Sequence, residues 1–177
     1  MTKTLAAAVL TVLALSVSAC GSSNDNAQAA KSISDSIMKS QKSSQSTSQF
    51  FTMKRKDADC IGKGLVDKIG TDQLQKYGLL TKDNKTKKSV SAVKMSSADA
   101  KKATTTLFGC TDVEGMMQSA MNKSGNIPKA MKPCITKTLN EKNLRGMFDA
   151  IFQGDQAAAK QKLVQPMMKC AVGAQGQ

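Results

Sequence analysis

The most distinctive chemistry in this 177-residue chain belongs to its five cysteines: Cys20, Cys60, Cys110, Cys134 and Cys170. No two of them form a C-x-x-C pair, and the chain contains no histidine. The missing imidazole excludes Ser-His-Asp and Cys-His nucleophilic catalysis and every His-ligated metal site. Widely separated thiols are also poor zinc ligands. What remains for catalysis is carboxylate, lysine, tyrosine or serine, and none of these falls in a recognisable motif. Asp149 and Asp155 are the carboxylates such an enzyme would need, but they read more simply as a surface charge and a helix cap. No catalytic residue, metal or cofactor is assigned, and the chain reads as a non-enzyme.

Cys20 differs from the other four in its surroundings. Met1-Thr2-Lys3-Thr4 is followed by an apolar run from Leu5 to Val17 and then by small residues up to Cys20. An early positive charge, a short apolar core and a small-residue cleavage site make the three-part pattern of a secretory signal peptide. The run is too short to span a bilayer core, which takes roughly 20 residues. Val17-Ser18-Ala19-Cys20 resembles the lipobox of bacterial membrane lipoproteins. The resemblance covers only the first 20 or so residues and implies location, not activity. It implies that residues 1–19 are removed and that Cys20 becomes an acylated first residue, of the palmitate-bearing type. That residue would be anchored in the bilayer on the extracytoplasmic face of the cell membrane. Two or three acyl chains give stable anchoring where one is marginal, at about 0.8 kcal/mol per buried methylene. The alternative is a cysteine beside an ordinary secretory cleavage site.

With Cys20 committed to lipid, four thiols remain, and an even number outside the cytoplasm reads as two disulfides. Four cysteines allow three connectivities. A repeat bears on the choice. Cys60-Ile61-Gly62-Lys63-Gly64-Leu65 matches Cys134-Ile135-Thr136-Lys137-Thr138-Leu139 in the pattern C-I-x-K-x-L. Each is followed by a second helix and then by an Ala/Lys-rich helix ending at a cysteine, Leu107-Phe108-Gly109-Cys110 or Met167-Met168-Lys169-Cys170. The units run from about 57 to 112 and from about 131 to 173. Duplicated units most simply keep their internal bonds, which gives Cys60–Cys110 and Cys134–Cys170. Each would stabilise the fold by roughly 3–4 kcal/mol in the chain-entropy model. The duplicated cysteine-bounded unit resembles a group of actinobacterial secreted proteins and lipoproteins for which no activity is assigned, so no site residues follow from it. Saposin-like domains are also helical and disulfide-bonded, but their paired C-x-x-C cysteines are missing.

The elements that must position these cysteines are helical. Aromatics are scarce and there is no Trp, so the core falls to Leu, Ile, Val, Met and Ala; abundant Ala, Lys, Gln, Leu and Met favour helix. Residues 20–50 carry ten serines among Asn, Gln, Lys and Ala, and such a composition predicts a disordered tether. As a coil it would hold the domain on the order of 30 Å from the bilayer. Ile33, Ile37 and Met38 share helical spacing, so a short docked helix is the minor alternative. Residues 51–177 are expected to form one all-α domain of six to seven helices. Ile61, Leu65 and Ile69 make one stripe, stopped by Gly70. Asp72 is expected to cap a short helix carrying Leu74, Tyr77 and Leu79. Ser96 or Ser97 starts a helix with Ala100, Ala103, Leu107 and Cys110 on one face. Asp112 caps the next, with Met116, Met117 and Met121, stopped by Ser124-Gly125-Asn126. A long fifth helix is expected to start or bend at Pro133. Asn140 caps the sixth, with Leu144, Met147, Phe148 and Ile151, stopped by Gly154. The last runs from Asp155 to Cys170, bent at Pro166.

Two further features suggest partners. Met116, Met117, Met121, Met131, Met147, Met167 and Met168 could form an adaptable apolar surface, although their spacing favours core filling. Lys54-Arg55-Lys56 and the loop from Lys82 to Lys88 make positive fields in a chain of formal charge +13. Anionic envelope lipids or polymers would attract them, or they serve as solvated faces. Nucleic acid is excluded as a partner: there is no aromatic platform, and Arg55 and Arg145 are the only guanidinium groups. The leading expectation is a membrane-anchored binding or interaction module that engages an envelope component, an apolar ligand or a protein. A structural envelope lipoprotein without ligand comes second, and a carboxylate- or lysine-based enzyme last.

Overall fold

The computed structural model describes residues 23–43, 53–124 and 127–174. The expected leader 1–19, Cys20 and the expected Gly125-Asn126 stop signal therefore lie outside the described residues. Eight α-helices are present among those described: α1 Ser23–Ser43, α2 Arg55–Ile69, α3 Thr71–Lys76, α4 Ser97–Cys110, α5 Val113–Ser124, α6 Lys132–Thr138, α7 Glu141–Phe152 and α8 Gln156–Ala174. No strand occurs among them, only an isolated bridge between Leu80 and Thr86. The all-α expectation holds, with one helix more than foreseen. No described helix is long and apolar enough to cross a membrane.

The extra helix corrects the tether. Residues 23–43 form the longest helix among the described residues, docked against α2. Total apolar content is the wrong criterion here, because a docked helix needs only one narrow apolar face. Ala29 and Ile33 are fully buried, with Ala30 and Ile37 beside them. Small residues let the two backbones approach: a Cβ on Gly62 would lie 2.3 Å from the carbonyl oxygen of Ala30. The serines are absorbed by hydrogen bonds. Buried Ser34 donates to Asp59, and Ser32 Oγ accepts from the Thr86 amide at 2.7 Å. Arg55 bridges Asp35 of α1 at 2.6 Å and Asp59 of its own helix at 3.0 Å.

Both disulfides pair within their own unit. Cys60–Cys110 ties α2 to the end of α4, and Cys134–Cys170 ties α6 to α8, each with 5.6 Å between Cα atoms. The same order recurs in each half: a helix with the first cysteine, a second helix, and a third carrying the second cysteine. Two hydrophobic clusters follow this division. The first gathers Ile33, Ile61, Leu65, Leu74, Leu79 and Val93, among others, from α1 to α4, and takes in Phe152 from the end of α7. The second gathers Val113, Ile135, Leu139, Leu144, Met147 and Cys170 from α5 to α8. They meet where α4 packs on α7. There Phe108 and Phe148 stack edge-to-face at 6.0 Å, and Arg145 covers the Phe108 ring at 4.4 Å.

Helix ends follow the expected caps in most places. Ser96, Asp112, Asn140 and Asp155 each accept from a backbone N–H three residues on. Asp72 does not cap α3: it sits inside the first turn, and Gly70, at φ +89°, ends α2 and begins α3. The long fifth helix is absent. With Pro128 and Pro133 five residues apart, the segment becomes a 3₁₀ turn at Lys129–Met131 followed by the seven-residue α6. Pro166 lies inside α8.

Candidate functional site

The residues singled out by sequence do not converge on one place. The disulfides are framework. Among the methionines, Met147 is buried and Met117, Met121, Met131 and Met167 pack on the second cluster, so they fill core, whereas Met168 is exposed. Asp155 is a helix cap, as expected. Asp149 is not a plain surface charge: it is half-buried, and its Oδ1 is shielded from solvent without a hydrogen-bond partner. Among the described residues no three His, Cys, Asp or Glu side chains converge to hold a metal. Nothing here assembles a catalytic centre around either carboxylate.

The structure instead opens an apolar cavity of about 300 Å³ where α1, α2, α4 and α7 meet a 3₁₀ turn at Val90–Ala92. Its deepest wall is Ile61, Leu65, Ala103 and Phe152, all buried members of the first cluster. Ile37, Met53, Val90, Leu107 and Phe148 are half-buried around it. Ser36, Ser40 and Gln41 of α1, with Ser89 and Ser91 opposite, supply the polar part of the lining. None of the lining side chains is titratable. The size is at the lower end for small-molecule sites, which run from about 300 to 1,000 Å³, and such sites favour boundaries between packed units. This one lies where α7 of the second half closes over the first.

Two local arrangements hold the walls. The Gln41 carboxamide oxygen accepts from the Met53 amide at 2.8 Å, which fixes the start of the α2 arm against α1. Behind the Val90 turn, the chain is pinned where the Met95 amide donates to the Phe152 carbonyl at 2.8 Å. It is pinned again where Tyr77 accepts from the Ser96 amide and donates to Asp99 at 2.9 Å. Burial works against the charge of Asp99, but hydrogen bonds from Lys102 and Tyr77, with the Ser96 cap, outweigh it and hold the carboxyl below its ordinary range.

Sequence reasoning missed this site because one wall, Ser36, Ile37, Ser40 and Gln41, lies in the segment read as tether. The usable signal was the spacing of Ile33 and Ile37. The turn at 89–91 carries no signal at all, since two serines and a valine after a lysine-rich loop are unremarkable. Comparison with family models, with curated proteins and with solved structures finds no match.

Proposed function

We propose that the protein is a membrane-anchored extracytoplasmic lipoprotein whose domain binds a small apolar ligand. The observation that carries this reading is the 300 Å³ cavity with an apolar interior and serines in its lining. A filled core would have favoured a structural or purely electrostatic role. The lining offers hydroxyls without any base beside them, an arrangement suited to holding a ligand and not to transforming one.

The anchor rests on Val17-Ser18-Ala19-Cys20, which resembles a lipobox, and on the resemblance of the cysteine-bounded units to actinobacterial secreted proteins and lipoproteins. Only Gly21 and Ser22 separate Cys20 from the start of α1. The anchor thus leads almost directly into a rigid element. Ile37 lies 14 residues along α1 from Ser23, which at 1.5 Å per residue puts the cavity roughly 20 Å along that helix from its anchored end.

Ala103→Leu tests the binding site, because Ala103 stands at the cavity wall and a larger side chain there occupies the space without disturbing a charge. Wild type should take up the uncharged dye phenylnaphthylamine with a rise in fluorescence, and Ala103→Leu should lose that uptake while melting no lower. Equal uptake by both proteins would remove the cavity as the site. The anchor has its own test: Cys20→Ala should leave the membrane fraction, and undiminished membrane partition would refute the lipobox reading.

A further inference from the structure

On α1, successive residues turn by about 100°. Ile37, Ser40 and Gln41 face the apolar cavity to one side, whereas Ser32, Asp35 and Lys39 face a second groove to the other. Ser36 lines both and forms the ridge between them. The opposite wall is also continuous: Lys85 and Thr86 border the second groove, and Ser89, Val90 and Ser91 border the first. Thr86 holds this strip on α1 through its amide and hydroxyl, each donating to Ser32 at 2.7 Å.

We propose that the two grooves form one site for a single-chain phospholipid with an anionic head, its acyl chain in the apolar cavity and its phosphate between Lys39 and Lys85. The inference rests on the apolar-ligand reading above and adds the chemistry of the head. Charge complementarity is the first argument. The second groove carries Lys31, Lys39 and Lys85 against the single carboxylate of Asp35. That carboxylate is already engaged by Lys31 at 2.7 Å and by Arg55 at 2.6 Å. Lys39 and Lys85 are exposed and have no carboxylate partner among the described residues. Lysine binds phosphate as a point charge, without the fixed fork that a guanidinium would impose. Continuity is the second argument: Ser36 lines both grooves, so a chain seated in the apolar cavity brings its head to the lysines of the second.

The test uses the full-length Cys20→Ala chain, titrated with three probes of equal acyl length below their micellar concentrations. They are lysophosphatidylglycerol, lysophosphatidylcholine and the free fatty acid. Lysophosphatidylglycerol should bind tightest at low salt. The double variant Lys39→Gln, Lys85→Gln should weaken it about tenfold and weaken lysophosphatidylcholine, whose choline offsets the phosphate charge, distinctly less. Lys101→Gln with Lys142→Gln, which removes the same charge from exposed positions elsewhere, should change nothing. Equal binding of the two lysolipids, or an equal loss for both in the Lys39/Lys85 variant, overturns the head-group assignment while leaving the apolar site in place. A fatty acid that binds as tightly with the same lysine dependence overturns the phospholipid in favour of a simple carboxylate. If none of the three binds, the apolar-ligand reading fails as well.

Discussion

Gly62→Ala probes the docking of α1 most sharply, because the same substitution has opposite consequences elsewhere in the molecule. Inside a helix, Gly→Ala is ordinarily favourable by about 1 kcal/mol, since alanine loses less backbone entropy. At Gly146 in α7 the new Cβ would meet only the flexible Lys162 side chain, at 3.5 Å, an ordinary contact. At Gly62 it would lie 2.3 Å from the Ala30 carbonyl oxygen and 3.2 Å from its carbon. These are backbone atoms of α1 and cannot swing aside, so the whole helix must move outward. Overpacking of this kind costs about 1–3 kcal/mol, or more where backbone has to shift. Against the propensity gain, Gly62→Ala should be destabilised by about 1 kcal/mol net, and Gly146→Ala stabilised by up to about 1 kcal/mol. Thermal and urea unfolding followed by circular dichroism, with disulfides intact, would resolve the difference as several degrees in melting temperature. Hydrogen exchange should quicken selectively across α1 in Gly62→Ala. If both variants are stabilised alike, the close approach of α1 and α2 is refuted, and with it the α1 wall of the cavity.

Three other outcomes follow from the packing. Replacing Cys60 and Cys110 together by serine should lower stability by about 3–4 kcal/mol, and non-reducing peptide maps should show only the Cys60–Cys110 and Cys134–Cys170 links; a Cys110–Cys134 peptide would overturn the within-unit pairing. Asp99→Asn bears on pH: because the folded carboxyl titrates below its ordinary range, its charge stabilises the fold above the unfolded pKa, and that contribution disappears as pH falls through the depressed folded value. Wild type should therefore lose stability more steeply than Asp99→Asn between neutrality and about pH 3, and parallel urea-unfolding curves would contradict the Tyr77–Asp99–Lys102 network. Phe148→Ala removes the ring that joins Phe108 to Phe152 across the two halves; calorimetry should show a loss of about 2–3 kcal/mol, below the value for a fully buried ring because Phe148 is only half-buried.

Much of the architecture was legible because its signals are local. The stripe of Ile61 and Leu65, the caps at Ser96, Asp112, Asn140 and Asp155, and the glycine stops at Gly70 and Gly154 each depend on residues within one or two turns. The disulfide pairing was legible for a different reason: the repeated C-I-x-K-x-L element divides the cysteines into two sets, and the structure bonds each set internally. What escaped was tertiary. Residues 23–43 show too little apolar surface to order alone, and they order because Gly62 lets α2 come close and Asp59 and Thr86 satisfy Ser34 and Ser32. Those partners lie some 25 to 54 residues away in sequence, beyond the reach of any local pattern. The cavity escaped with it, since its walls come from four helices and a turn. Pro128 and Pro133 gave the break before α6 but not its brevity, which reflects two prolines acting within one short segment.

Ligand binding in this protein requires that the cavity between α1, α2, α4 and α7 receive an apolar chain. Methyl-resolved NMR of the full-length Cys20→Ala protein with a bound single-chain lipid tests this directly. Nuclear Overhauser contacts should link the lipid methylenes to Ile37, Ile61, Leu65 and Val90, and should be absent at Ile135 and Leu139 in the second cluster. The claim is contradicted if lipid contacts spread over both clusters, or if those cavity methyls are in contact with the chain's own Phe50 or Phe51 whether or not lipid is present.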